Sequence, residues 1–433
     1  MYNIFLYADL IILGGIALSK ANKHKSEWIL ILLIMSFVKT CITFLFAATT
    51  VFTVVTIGGF QVHLDDIILL ICLVFLVMYF IKRGIPKDFY MGISLMITIP
   101  IIISLFRGCV NGDIGSADFL SDIRKYFVFA VVLVSFYIVF NNLYTVNLDF
   151  KCKYYIDTLM NVVIVYVLCV WFLDSVLGVN SLPGQVVGTL SDGGSTFRII
   201  NPPQTLMIAF YALWKIYEDL KEQKFLKIRT LVLILIVLFL QWRTVVAAFL
   251  IGVVLIFILK LKEGIFSVKL IGEILGVLVA LGLIAALTDA SYYTDMMSNL
   301  FGSYSNVASG TGTFSTRTMV WSMLIGTLRG VDKWIGHPFG SSLNIEWTAS
   351  AHSGYVDYLM VTGYIGTSLL VIMCVALIIL CIRKKLAVFA IILISLMVYW
   401  YGYGFSIEQA ALIGYIMAFL HRGQSFDKIE GSL

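Results

Sequence analysis

Long apolar runs alternate with short polar connections along the chain, and the length of the runs decides how they are read. A helix needs about 20 apolar residues to cross the hydrocarbon of a bilayer. Runs of that order lie near 3–19, 28–57, 64–81, 89–106, 123–140, 156–178, 203–217, 228–241, 244–260, 270–287, 364–382, 386–403 and 407–421. They predict an all-α, polytopic membrane helix bundle with about 12–13 transmembrane helices, one transmembrane domain over residues 1–433. The first run has no basic stretch before it and no cleavage signal after it, so it is expected to stay as a span rather than act as a signal peptide. The run 28–57 is too long for one upright helix and carries Lys39 in its middle; a hairpin there would change the parity of the later spans.

Composition agrees with this pattern. The chain is 60% apolar and 13% charged, with a mean hydropathy of +0.98, whereas a soluble domain carries about a quarter charged residues. Membrane lipids are therefore expected around it. Nothing forms the basic stripe that nucleic acid would need, so no nucleic-acid partner is expected. The seven cysteines form no C-x-x-C pair and mostly sit inside apolar runs, which argues against a disulfide framework or a thiolate metal site.

Basic residues favour cytoplasmic loops. Taking 28–57 as one crossing, the connections KANKHK, KRGIPK, DFKCK, KIYEDLKEQKFLKIR, KLKEGIFSVK, RKK and the tail HRGQSFDK alternate with poorer ones and hold most of the lysines. That orientation places three longer connections outside: 107–122, 179–202 and a large periplasmic loop at 288–353. Within the last, STRTMVWSMLIGTL has apolar residues at helical spacing and is expected to form a short helix along the membrane surface.

The outward basic residues are mostly arginine: Arg107, Arg124, Arg198, Arg243, Arg317 and Arg329, against Lys125 and Lys333. Lysine suffices to set topology, while a guanidinium offers a planar fork suited to phosphate. Arg243 lies between two apolar runs with almost no loop, as a site residue or as one that snorkels to the headgroups. Arg198 precedes Pro202 and Pro203, which fit a helix start. Arg317 and Trp321 are a helical turn apart, a spacing that also suits an interfacial anchor. His352 reads either as a hydrogen-bonded structural residue or as the group best suited to proton transfer near neutral pH. Asp65, Asp66 and Asp122 lie at outer starts of apolar runs, where a carboxylate favours the positive helix end. The glycine-rich SGTGTFSTR and SDGGSTFR lack the P-loop pattern.

With these residues assembled, the stretch from Arg317 and Trp321 through WIGHPFGSS to AHSGYVDYLMVTGYIG resembles the signature of the O-antigen polymerase and O-antigen ligase superfamily, and FQVHLDDIIL, SDIRKYFVF, FRIINPPQ and QWRTVVAAFL are weaker echoes in the same order. The chain departs from the pattern at Ser353, where the family usually has Asn, at Thr362, where an acidic residue is usual, and at Gln241-Trp242.

The resemblance implies a multi-span, metal-independent glycosyltransferase without a cofactor, in a bacterial inner membrane, working on the periplasmic face. Its implied donor is an undecaprenyl-pyrophosphate-linked oligosaccharide, and a chain-length regulator is a candidate protein partner. Arg198, Arg243 and Arg317 would bind the lipid pyrophosphate, His352 would be catalytic, and Arg124, Tyr355 and Asp357 are candidate acceptor or loop contacts. A polymerase joining repeat units is the expected activity; a ligase to lipid A core shares its donor, and a flippase for the same lipid is a third reading.

Overall fold

The computed structural model describes residues 53–57, 60–142, 146–175, 187–189, 195–197, 199–221, 226–240, 242–262, 313–341 and 352–423 of the 433, with isolated positions before residue 53. Lys39, Arg198 and the run 270–287 lie outside these residues, as does nearly all of the run 3–19.

Two strands, β1 (Thr53–Ile57) and β2 (Phe60–His63), precede the helices α1 (Leu64–Arg83), α2 (Phe89–Asn111) and α3 (Ala117–Asp122). A π-helical turn, Ile123–Phe127, joins α3 to α4 (Val128–Asn142), and α5 (Val146–Ser175) follows. After β3 (Val187–Thr189) and β4 (Ser195–Phe197) come α6 (Pro202–Lys221), α7 (Ile228–Phe239) and α8 (Arg243–Lys262). The last described elements are α9 (Thr313–Thr327), α10 (Asp332–Ile335), α11 (Gly354–Arg383), α12 (Ala387–Trp400) and α13 (Ile407–Arg422).

Among the described residues six helices are long and apolar enough to cross a membrane: α1, α2, the Ala117–Asn141 stretch, Cys152–Phe172 within α5, α8 and α11. Helices α7 and α12 are apolar but shorter. The runs 203–217 and 407–421 are also helical, as α6 and α13, and their side chains are largely buried in protein. A helix that faces protein on most sides can carry more polar residues than one facing lipid, which is why these two are less apolar than the rest.

Side-chain partners show that consecutive helices run back and forth between two ends. At one end, Arg124 binds Asp66, Trp242 donates to the Ile200 carbonyl, and the Gly354 amide donates to Tyr403 O. At the other, Tyr137 donates to Asp88 and lies 2.7 Å from His421 Nδ1, while Thr230 donates to Asp219. Among the described residues the basic connections at 82–87, 149–153, 215–221 and 383–385 belong to this second end, so for these the alternation predicted from charge matches the packing.

The Ala117–Asn141 stretch, which carries α4, is the axis: 78% of it is buried, against 22% for α1 and for Cys152–Phe172 in α5. Its closest partner is α13. Gly414 permits that approach, because a Cβ there would stand 2.7 Å from the Leu133 carbonyl.

Two features differ from the sequence expectation. The run 28–57 does not end as a helix: its last five residues are β1, paired with β2 so that Ile57 faces Phe60. The β-branched TVVTI and the intervening Gly58-Gly59 are a hairpin signature that the apolar count concealed. The second difference is α11, expected over 364–382 but beginning at Gly354 and broken at Gly363, where φ is 65° and ψ is −170°. Polar groups in the early segment lower its hydropathy, yet they are satisfied by protein: Tyr358 donates to Ile97 O and Thr362 to Tyr358 O.

The break in α11 is filled by the segment after α10. His337 N donates to Met360 O at 2.7 Å and Phe339 N to Ser104 O at 3.1 Å. The Ser104 hydroxyl lies 2.5 Å from the carbonyl oxygens of both His337 and Val361 and shares its hydrogen between them. Arg107 holds the outer edge, donating to Gly336 O at 2.5 Å and to Asp332 Oδ1 at 2.6 Å. Irregular backbone at this depth is tolerated because protein supplies its hydrogen bonds. Gly336 and Gly363, both at positive φ, meet backbone to backbone, where no side chain would fit.

Candidate functional site

The end of the bundle carrying His63, Arg124, Trp242, His352 and Tyr403 forms the mouth, and His352 is its most unusual residue. Its φ is +47°, a left-handed backbone seldom adopted outside glycine, and such conformations gather at functional sites. Contacts on the following residues impose it. Ser353 caps α11, its hydroxyl accepting from Val356 N at 3.5 Å, and the Gly354 amide is fixed on Tyr403 O at 3.0 Å. The chain therefore turns sharply just before the helix and leaves the imidazole exposed at the mouth.

Charged groups surround that imidazole. Partial burial, and then the guanidinium of Arg317, hold His352 below the ordinary histidine value of 6.5; Asp357 opposes this and Lys125 adds to it. At pH 7 the ring is consequently neutral and able to accept a proton.

Asp357 is placed by the first turn of α11 and held by α4's entry. Lys125 Nζ lies 2.5 Å from its Oδ2, and the Tyr126 hydroxyl donates to its carbonyl oxygen at 3.1 Å. Lys125 and Arg124 are neighbours in the π-helical turn, yet they serve different partners. Arg124 turns to α1 and grips Asp66 with two parallel bonds, Nε to Oδ1 at 2.9 Å and Nη2 to Oδ2 at 2.8 Å. The two are consecutive residues and therefore point in different directions from the helix, and π-helical turns of this kind are often found at functional sites.

The expected site residues are only partly gathered. His352, Arg317 and Asp357 come together, and Lys125 joins them. Arg317 is carried on α9, which docks through Leu324 and Ile325 on Val356, Leu359 and Met360 and through the edge of Trp321 on Tyr401, 5.2 Å between centroids. Arg243 opens α8 at the same end, half-buried between Trp242 and Thr244. Arg124 is engaged with Asp66. Tyr355 is turned inward, its hydroxyl donating to Met397 O at 3.0 Å and its ring set edge-on to Trp400, so it serves the α11–α12 contact. Arg198 falls outside the described residues.

Lys125 is one of the outward cations of the sequence, and nothing in the family resemblance marks it as a site residue. The signal that could have found it is the adjacent pair Arg124-Lys125 at a helix entry, where ordinary helical geometry points neighbours about 100° apart. Asp122, read as a helix-end carboxylate, instead accepts from Gly340 N at 3.0 Å and ties the segment after α10, a strap across the break in α11, to α3.

A neutral imidazole beside a guanidinium, an ammonium and a carboxylate can take a proton from a bound hydroxyl while the cations stabilise negative charge developing nearby. Comparison with protein-family models, with curated proteins and with solved structures finds no match to this chain.

Proposed function

We propose that the chain is a glycosyltransferase that joins polyprenyl-pyrophosphate-linked oligosaccharide repeat units, an O-antigen polymerase whose mouth faces the periplasm of a bacterial inner membrane. The observation that carries this reading is His352, held in left-handed backbone at the mouth among Arg317, Lys125 and Asp357. The sequence resemblance through residues 317–366 supports it from a separate direction.

In the proposed reaction a hydroxyl oxygen of the acceptor sugar bonds to the anomeric carbon of the donor as the bond from that carbon to the pyrophosphate oxygen breaks. The hydroxyl proton passes to His352. The lipid pyrophosphate departs with the electron pair, and Arg317, with Arg243 and Arg198 in the roles that the resemblance implies, receives the growing negative charge. Preplaced cations are effective there because they need no reorganisation as the charge appears. Attack opposite the leaving group inverts the anomeric centre. The activated lipid supplies the driving force.

Deleting the gene in its host and examining surface polysaccharide on a gel tests the reading. A polymerase gives single-repeat material, restored to long chains by the wild-type gene and not by His352→Ala. Loss of lipid A-attached sugar with lipid-linked polymer remaining would assign a ligase instead. Failure of repeats to reach the outer leaflet would assign a flippase.

A further inference from the structure

Helix α12 ends in an aromatic turn, and its rings have different surroundings. Tyr399 and Trp400 are fully buried, while Tyr401, the next residue, is 50% exposed. Tyr403 is packed by protein: its ring stacks on Tyr399 with centroids 5.3 Å apart and stands perpendicular to Trp242 at 6.1 Å. Tyr401 is therefore the ring of this turn that reaches the open mouth.

The turn is fixed between two residues to which the proposed reaction gives different tasks. On one side the Gly354 amide donates to the Tyr403 carbonyl at 3.0 Å, just beyond His352 in the chain. On the other, Gly402 lies against Thr244, where a Cβ would stand 2.4 Å from the hydroxyl oxygen, and Thr244 follows Arg243 at the start of α8. The Gly402 and Tyr403 amides donate to the Tyr399 carbonyl at 3.0 and 3.1 Å, which closes the turn. The backbone of Tyr401 is thereby tied both to the His352 turn and to the Arg243 helix start.

A third element adds a wall. Arg317 and Trp321 share a face of α9, being a helical turn apart. The Trp321 ring meets Tyr401 with centroids 5.2 Å apart and planes at 85°. In this perpendicular arrangement the two rings do not stack, so the indole forms a corner beside a phenol ring that stays half exposed.

These features match the chemistry of a sugar. A pyranose carries C–H bonds across its faces and hydroxyls around its rim. The C–H hydrogens are weakly positive and suit the negative face of an aromatic ring, while the rim hydroxyls reach polar groups. A tyrosine that anchors a protein in headgroups also has an apolar ring and a wet hydroxyl, but anchoring needs no rigid backbone. Here three backbone bonds and a close glycine contact hold the turn, and a preset platform binds without the cost of ordering it.

We propose that Tyr401, cornered by Trp321, is a carbohydrate subsite on which one sugar ring of the lipid-linked oligosaccharide lies, its C–H face against the phenol ring, between His352 and Arg243. The identity of the occupant rests on the glycosyl-transfer reading.

The test is saturation-transfer NMR on the full-length chain in nanodiscs, with the oligosaccharide released by mild acid from the host's lipid-linked repeat units as the probe. Chain growth and unfolding midpoints are measured alongside. Wild type binds the free oligosaccharide, and Tyr401→Leu, of similar apolar bulk but without a ring face, binds it about 3- to 10-fold more weakly. Tyr401→Phe, which keeps the face, recovers most of that loss. Trp321→Leu removes the corner, leaves the turn in place and weakens binding in the same direction, which keeps the question decidable if Tyr401→Leu does not fold. Sugar binding through Tyr401 without chain growth by wild type would sink the transfer reading and leave the subsite standing. Chain growth by wild type, with both leucine variants binding the oligosaccharide as wild type does, would leave the reaction and overturn the subsite. Equal binding with a lowered unfolding midpoint would assign Tyr401 to headgroup anchoring instead, and absence of oligosaccharide binding by wild type likewise overturns the proposal.

Discussion

Lys125 Nζ stands 2.5 Å from Asp357 Oδ2, joining the entry of α4 to the first turn of α11, which follows His352 in the chain. Both side chains are partly buried, 32% and 13% exposed, so the pair does more than decorate a surface. Lys125→Met removes one of the positive charges that hold His352 below 6.5 and frees Asp357 of its paired ammonium, while burial and Arg317 still act. The acid limb of the pH–rate profile should shift to higher pH, and thermal stability should fall by about 1–3 kcal/mol. An unchanged limb with the same loss of stability would leave the pair a purely structural role.

The wild-type profile follows from the same charges. Partial burial and Arg317 lower the His352 value, so the proton-accepting ring persists below pH 6.5 and activity should be lost only as pH falls beneath that point. Arg317→Gln removes the neighbouring guanidinium charge, and its acid limb should move upward toward 6.5. Rates measured from pH 5 to pH 8 for both proteins check the direction.

Much of this arrangement was legible in the sequence, and the parts that were not have physical causes. Apolar run length located most of the described helices from residue 64 onward, and the lysine bias grouped the described basic connections at one end, because lipid burial and loop charge act on whole segments. The stretch 354–363 escaped because its Tyr358, Asp357 and Thr362 look like loop chemistry until Ile97, Lys125 and the Tyr358 carbonyl are seen to satisfy them. Arginine enrichment marked Arg317 and Arg124 equally, yet only the three-dimensional partner separates them: Asp66 claims Arg124. Distant pairings such as Gln204 with Glu408 leave no periodic trace.

The strap in the broken helix gives a stability test. Gly363 has φ 65° and its missing Cβ faces the Trp334 backbone, so Gly363→Ala should destabilise the protein by about 2–4 kcal/mol from conformation and overlap together. Gly326, within α9, has open space where its Cβ would be, and Gly326→Ala should leave stability equal or raise it by about 0.4–1 kcal/mol. Unfolding midpoints in detergent compare the two.

Arg124 and Asp66 offer a double-mutant cycle. The parallel bonds need a guanidinium fork, so Arg124→Lys should recover little of the coupling that Arg124→Ala loses. Asp66 also accepts from His63 N at 2.8 Å, so Asp66→Ala should cost more than Arg124→Ala by about 1 kcal/mol, the value of a helix cap. Equal losses would mean that the cap contributes nothing.

Orientation is open to chemical labelling. Ser322 is exposed on α9, and Ser322→Cys should react with an impermeant thiol reagent in intact spheroplasts if the mouth faces outward. Labelling confined to lysed cells would reverse the topology.

The most direct measurement is glycosyl transfer by the purified chain in lipid nanodiscs, supplied with a polyprenyl-pyrophosphate-linked oligosaccharide and read as chain growth with release of polyprenyl pyrophosphate. Wild type should extend the glycan, while His352→Ala, folded to the same unfolding midpoint, should lose at least about 100-fold in rate, the lower end of what a positioned proton acceptor contributes. Extension by the variant at the wild-type rate would contradict the assignment of His352.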